Sequence, residues 1–197
     1  MTSMNTTLRY GNVAMSFHWT IALLIVTNLG IGFYFANVMN SHEPGFFAIV
    51  QLHKSIGLTV LVLSVLRLGW RLVNPIPPLP ADFGPGLKIL ARGTHYLFYV
   101  LIIAIPLAGW SMVSSSPRGT PTLYFGFFQW PDVPFLAELP RAAKRSYTEI
   151  FAETHALLAY SAAALLVLHV GAALWHHVSR RDQVLKRMIP GTNVSTV

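Results

Sequence analysis

The chain has 197 residues, of which 53% are hydrophobic and only 11% charged, less than half the ~25% charged share of an ordinary soluble domain. Its formal net charge is +7, but no basic domain with interleaved aromatics is present to bind nucleic acid, so the charge reads as membrane topology. Cysteine is absent, which excludes disulfides, thiolate metal sites, iron–sulfur clusters and covalent haem attachment through C-x-x-C-H.

Four apolar runs, at about residues 13–36, 49–73, 95–113 and 152–178, are each long enough to cross ~30 Å of hydrocarbon. They predict an all-α, integral membrane four-helix bundle, a single domain over residues 1–197, surrounded by membrane lipid. The first run carries His18; it is too long for a signal-peptide core and no small-residue cleavage site follows, so it is expected to be retained. The loop after it holds His42 between Ser41 and Glu43, a setting for an interfacial polar residue. The second run has His53 and Lys54 near its start and Arg67 and Arg71, one turn apart, near its end.

A proline-rich connection follows over residues 74–80; it cannot be helix and predicts a stiff extended spacer. The third run opens with His95. The next connection, about residues 114–151, is long and includes Tyr124-Phe125-Gly126-Phe127-Phe128-Gln129-Trp130. Long ordered loops of this kind cap or serve a site, and the aromatics suit the outer membrane interface. The fourth run opens with His155, carries His169, and ends in Trp175, His176, His177 and Arg180-Arg181.

Four spans place the N-terminus, the second connection and the C-terminal tail on one side, with nine basic and two acidic side chains against five of each on the other. Both termini are therefore expected to be cytoplasmic.

Histidines inside apolar runs need a partner or a task, because an ionisable side chain at membrane depth is costly. His155 and His169 are fourteen positions apart; at ~1.5 Å and ~100° per residue this advances ~21 Å and closes to within ~40° of whole turns. One helix would then show two imidazoles on one face, one near each side of the bilayer. His18 lies at a depth similar to His169, and His53 at a depth similar to His155. Neutral imidazole is a haem-iron ligand and a porphyrin fills apolar space between helices, so two bis-histidine haem b sites are available. His176 rivals His169 as the inner ligand, since seven residues return to nearly the same face, although it lies in the aromatic and charged edge. Gly57 and the alanines at 156, 159 and 162–164 would give a macrocycle room. Arg67 and Arg71 could pair with haem propionates, and Lys54 with propionates or an anionic substrate. His95 reads as a membrane-edge histidine or a quinone-site hydrogen bonder.

Arg9-Tyr10, Met15-Ser16-Phe17-His18-Trp19, Gln51-Leu52-His53-Lys54-Ser55-Ile56-Gly57, Arg67-Leu68, Arg71-Leu72, Thr94-His95-Tyr96, His155, His169, His176-His177 and Met188-Ile189-Pro190 together resemble the bacterial cytochrome b561 family, in order and with matching gaps. The resemblance implies a four-helix inner-membrane cytochrome with two b haems, ligated by His18 with His169 and by His53 with His155, and a quinone pocket that includes His95. It further implies electron transfer from superoxide, or another periplasmic donor, to ubiquinone of the quinone pool. A cytochrome b relay or anchor subunit of a larger dehydrogenase or hydrogenase complex is the alternative expectation. Matching is poor in the loop before the fourth helix, the segment that would meet the outer donor.

Overall fold

The computed structural model describes residues 3–6, 9–79 and 83–192; Pro80 and Asp82, counted above, lie outside the described residues. Four helices are long and apolar enough to cross a membrane: α1 (Asn12–Asn37), α2 (Phe46–Val73), α3 (Pro85–Ser114) and the helix that begins at Arg141. Large side chains such as Leu23, Val62, Val100, Val167 and Leu168 are exposed around the bundle. Such a surface suits hydrocarbon, not water, and in hydrocarbon only a helix satisfies every backbone group internally.

Between α3 and the last span lies a small antiparallel hairpin, β1 (Thr122–Tyr124) and β2 (Phe128–Trp130), followed by the single turn α4 (Pro134–Ala137). The last span, α5, runs over Arg141–Trp175 and passes into a π-helical turn at His176–Arg180. The loop expected to cap one end is thus built as a hairpin. A stripe on α2 docks it: Gln51 donates to the Pro121 carbonyl and accepts from the Leu123 amide, Ser55 accepts from the Phe125 amide, and Thr59 meets the Tyr124 hydroxyl at 3.0 Å. Phe125 turns the hairpin with φ 47°, a left-handed conformation costly for a bulky side chain, and the Ser55 bond helps to hold it there.

Two helices are longer than expected. α3 starts ten residues before the apolar run, so His95 does not open it but lies three turns inside. α5 starts at Arg141, so His155 does not open that helix either. In both cases charged side chains interrupt the apolar pattern, but the extension is rich in strong helix formers (Leu, Lys and Arg in 87–92; Ala, Lys, Arg in 141–145) behind a proline, at the first position of α3 and just before α5. Hydropathy marks only the buried part of such a helix, whereas backbone hydrogen bonding propagates beyond it.

The spans pack as neighbours in the order α1, α2, α3, α5, with no comparable packing between α5 and either α1 or α2. An apolar cluster of Ile21, Ile56 and Val60, with Phe17, Leu24 and Leu63 against it, joins α1 to α2. At the end that carries both termini, the tail is tied down by backbone acceptors. Trp19 donates to Met188 at 2.7 Å, Arg9 to Thr192 at 2.8 Å, and Arg187 to Pro78 at 2.6 Å. We refer below to this terminal side and to the opposite, hairpin side.

Candidate functional site

The four helices carry the site on two levels. On α5, His155 and His169 both face the slot between α5 and the α1–α2 pair. At the hairpin level His155 stands 6.0 Å from His53 of α2, centroid to centroid, with the rings at 81°. At the terminal level His169 stands 6.4 Å from His18 of α1, at 68°. Imidazole nitrogens ligate first-row metals at about 2.0–2.1 Å, and each ring centroid lies about 1 Å behind its nitrogen. Two imidazoles on opposite sides of one iron therefore stand about 6 Å apart, as both pairs do. Among the described residues no group of three or more His, Asp or Glu could hold a bare metal ion. Two imidazoles leave the remaining coordination of a metal unfilled, and b-type haem brings its other ligands with it.

The second ring nitrogens agree at the hairpin level. His53 Nδ1 lies 3.2 Å from the Asn28 carbonyl and His155 Nδ1 lies 2.9 Å from the Ile105 carbonyl. A carbonyl can only accept, so each Nδ1 carries the proton and each Nε2 presents a lone pair to the slot. Glycines make the room for both rings: a Cβ on Gly32 would lie 2.9 Å from His53 Cε1, and one on Gly109 would lie 3.1 Å from His155 Cε1. Gly57, expected to leave room for a macrocycle, faces α1, where its Cβ would meet only Asn28 at 3.5 Å.

The terminal level is furnished differently. Arg67 Nη2 lies 3.2 Å from His18 Nδ1; a guanidinium only donates, so Nδ1 accepts here, and His18 would present an Nε2 lone pair only with Arg67 turned away. The His95 ring lies 6.0 Å from that of His169. His95 donates from Nδ1 to the Ala91 carbonyl at 2.6 Å. Phe98 packs edge-on against His169 at 5.1 Å. Arg67 and Arg71 both lie over one ring, that of Tyr99, at 5.5 and 5.3 Å from its centroid.

One spacing generates both levels. Positions fourteen apart recur on every span: His18 and Gly32, His53 and Arg67, His95 and Gly109, His155 and His169. Antiparallel packing then sets Gly32 against His53 and His18 against Arg67, and likewise Gly109 against His155 and His95 against His169. The two histidines of α5 supply one member to each level. Gly32, Gly109 and Tyr99 escaped the sequence reading; the repeat of fourteen was the signal that could have found the two glycines.

His176 does not join the terminal level. It is buried at 7% exposure, paired through Nδ1 with Asp182 and stacked on Phe83 at 5.2 Å. The π-helical turn that ends α5 gives it this direction.

At the hairpin end, Lys54, Arg118 and Glu43 line an open cleft of about 510 Å³ together with Phe46, Val50 and Met112. A second cleft of about 510 Å³ holds Arg118, Arg141, Arg145 and Glu149. Ser116, Arg118 and Thr148 belong to both, so the two form one trough with four cations and two acids. The remaining acids of this side, Asp132, Glu138 and Glu153, do not line it.

Comparison with known proteins agrees with this geometry. The chain matches the family described as prokaryotic cytochrome b561 over residues 9–191. It is 33% identical over 190 residues to cytochrome b561 homolog 2 of Escherichia coli (strain K12), covering 96% of this chain and 95% of that protein. It is 27% identical over 184 residues to the probable superoxide oxidase CybB of Yersinia pestis, covering 92% and 96%. With cytochrome b562 of Cereibacter sphaeroides it shares 27% identity over 190 residues, 91% of this chain and 94% of that one. The chain therefore belongs to the prokaryotic cytochrome b561 family, membrane proteins that bind b-type haem and transfer electrons.

Proposed function

We propose that the protein oxidises superoxide on the hairpin side of a bacterial inner membrane and delivers the electrons to ubiquinone near the terminal side, with both termini cytoplasmic. The observation that carries this reading is the presence of two imidazole pairs at two depths, 6.0 and 6.4 Å apart and sharing one helix. In this reading His53 with His155 would hold one b haem and His18 with His169 a second. When bound, the haem supplies one-electron ferric–ferrous chemistry.

The chain's own residues do the rest. The Asn28 and Ile105 carbonyls hold His53 and His155 in the ligating tautomer. Arg67 and Arg71 offer guanidinium donors to propionate carboxylates at the terminal level. Lys54 and the three arginines of the trough raise the local concentration of an anion at the hairpin end. His95, whose Nδ1–H is held by the Ala91 carbonyl, stands beside His169 and, as the imidazolium, carries an Nε2 proton that it can donate to a quinone oxygen and pass to it. The balance is two superoxide anions, each losing one electron to give dioxygen, against one ubiquinone that takes up two electrons and two protons to become ubiquinol. The likeness to a probable superoxide oxidase supports the choice of donor.

The test is direct. The protein is purified in detergent, its haem counted per chain, and superoxide and a soluble ubiquinone are then added in turn. Two haems, reduction by superoxide and reoxidation by quinone are expected. One haem per chain would refute the double site. Two haems that superoxide leaves oxidised would refute the donor and favour a relay subunit that takes electrons from a protein partner.

A further inference from the structure

The two levels differ in fixed charge, and this asymmetry bears on the direction of electron flow. At the terminal level two guanidiniums stand one helical turn apart, yet both turn toward the same point: Arg67 and Arg71 lie 5.5 and 5.3 Å from the centroid of Tyr99. Like charges this close repel, more strongly where water is scarce. The negative face of an aromatic ring attracts cations at this distance and offsets the repulsion. Tyr99 comes from α3, one turn beyond His95 and next to Phe98, which touches His169. Arg67 in turn reaches His18 at 3.2 Å. Tyr99 therefore anchors both cations beside the ligand pair.

Among the described residues nothing equivalent stands at the hairpin level. The positions that correspond to Arg67 and His95 there are Gly32 and Gly109, and the nearest cation in sequence, Lys54, shares its cleft with Glu43. Among the described residues no carboxylate pairs with Arg67 or Arg71.

We propose that Tyr99 is a positioning residue that holds Arg67 and Arg71 beside the His18–His169 pair, and that their joint positive field makes the terminal level the higher-potential one. An added electron is stabilised by nearby positive charge, so the level with two uncompensated guanidiniums is reduced first. If the arginines also pair with propionates, the sign is unchanged, because their removal would leave those carboxylates unneutralised. Electrons then run downhill from the hairpin side to the terminal side. This inference rests on the two-haem reading above.

The test is a spectroelectrochemical titration of the full chain in lipid nanodiscs, with a haem count on each sample. Wild type is expected to show two one-electron transitions. Tyr99→Leu and Arg71→Gln should each lower the upper transition by about tenfold in its reduction equilibrium, about 59 mV for one electron, and leave the lower one in place. Tyr99→Phe keeps the aromatic face and should stay near wild type. A merely structural role for Tyr99 would change haem content without moving a potential. The proposal is overturned if the lower transition is the one displaced, if both move equally, or if neither moves. It is overturned too if Tyr99→Phe behaves as Tyr99→Leu. Should Tyr99→Leu lose haem, Arg71→Gln and Tyr99→Phe decide alone. A wild type with a single haem and a single transition would instead remove the two-haem reading itself.

Discussion

Replacing Gly32 by alanine probes the hairpin level through a residue that touches no substrate. The new Cβ would sit 2.9 Å from His53 Cε1 and 3.3 Å from Nδ1. Carbon atoms rest at about 3.5–4.0 Å, so the ring must retreat by roughly 0.6–1.1 Å. Positioned sites tolerate about 0.5 Å. The ring cannot retreat freely, because its Nδ1 is tied to the Asn28 carbonyl at 3.2 Å, and moving away lengthens a bond already at the long end of its range. Loss of such a supporting contact costs 10–100-fold in affinity for the bound group, about 1.4–2.8 kcal/mol. Gly109→Ala repeats the experiment on His155 with a smaller overlap, its Cβ at 3.1 Å. Gly30→Ala is the control on the same helix, since nothing lies within 4 Å of its Cβ. Haem is counted per chain after purification under limiting haem, and the redox transitions are recorded. Gly32→Ala should fall toward one haem and keep the upper transition; Gly109→Ala should fall less; Gly30→Ala should match wild type. Wild-type haem content and potentials in Gly32→Ala would refute the steric reasoning and with it the role given to His53.

Three further outcomes follow from the same geometry. Ser55→Ala removes the buried hydroxyl that accepts from the Phe125 amide at 2.9 Å. An unpaired buried donor costs about 1–3 kcal/mol, so the thermal midpoint should drop by about 2–4 °C for each kcal/mol; an unchanged midpoint would show that the hairpin is not held by this stripe. Lys54→Gln, and Arg141→Gln with Arg145→Gln, should slow superoxide consumption at low ionic strength with haem content preserved. The difference should vanish near 1 M salt, where the screening length is ~3 Å, and a salt-independent defect would argue against steering. His95→Gln should slow quinone reduction by roughly 10²-fold or more while haem binding persists, and stopped-flow reoxidation at the wild-type rate would exclude a proton-donating His95.

Much of this protein is legible in one dimension. Apolar runs are set by the thickness of the hydrocarbon core, so composition alone locates four spans, and the cost of an imidazole at that depth singles out His18, His53, His155 and His169. The spacing of fourteen on α5 is a property of helical geometry and needs no fold to be read. What it could not decide is what each histidine faces. His169 and His176 lie seven residues apart on nearly the same stripe; only the π-helical turn, Asp182 and Phe83 separate them, by directing His176 into the tail. Nothing in the sequence sets Gly32 apart from the other glycines of the spans, and only the packing of α1 on α2 shows that it makes room for an imidazole. The trough at the hairpin end draws Lys54, Arg118, Arg141 and Arg145 from three separate segments and leaves most of the acids outside, a segregation that a net charge cannot express. Local chemistry along the chain determined the helices and their depth, because a bilayer acts on each span by itself. Which side chains share a level was decided by antiparallel packing, because contacts between spans depend on rotation about each helix axis, and that rotation is settled by all the neighbours together.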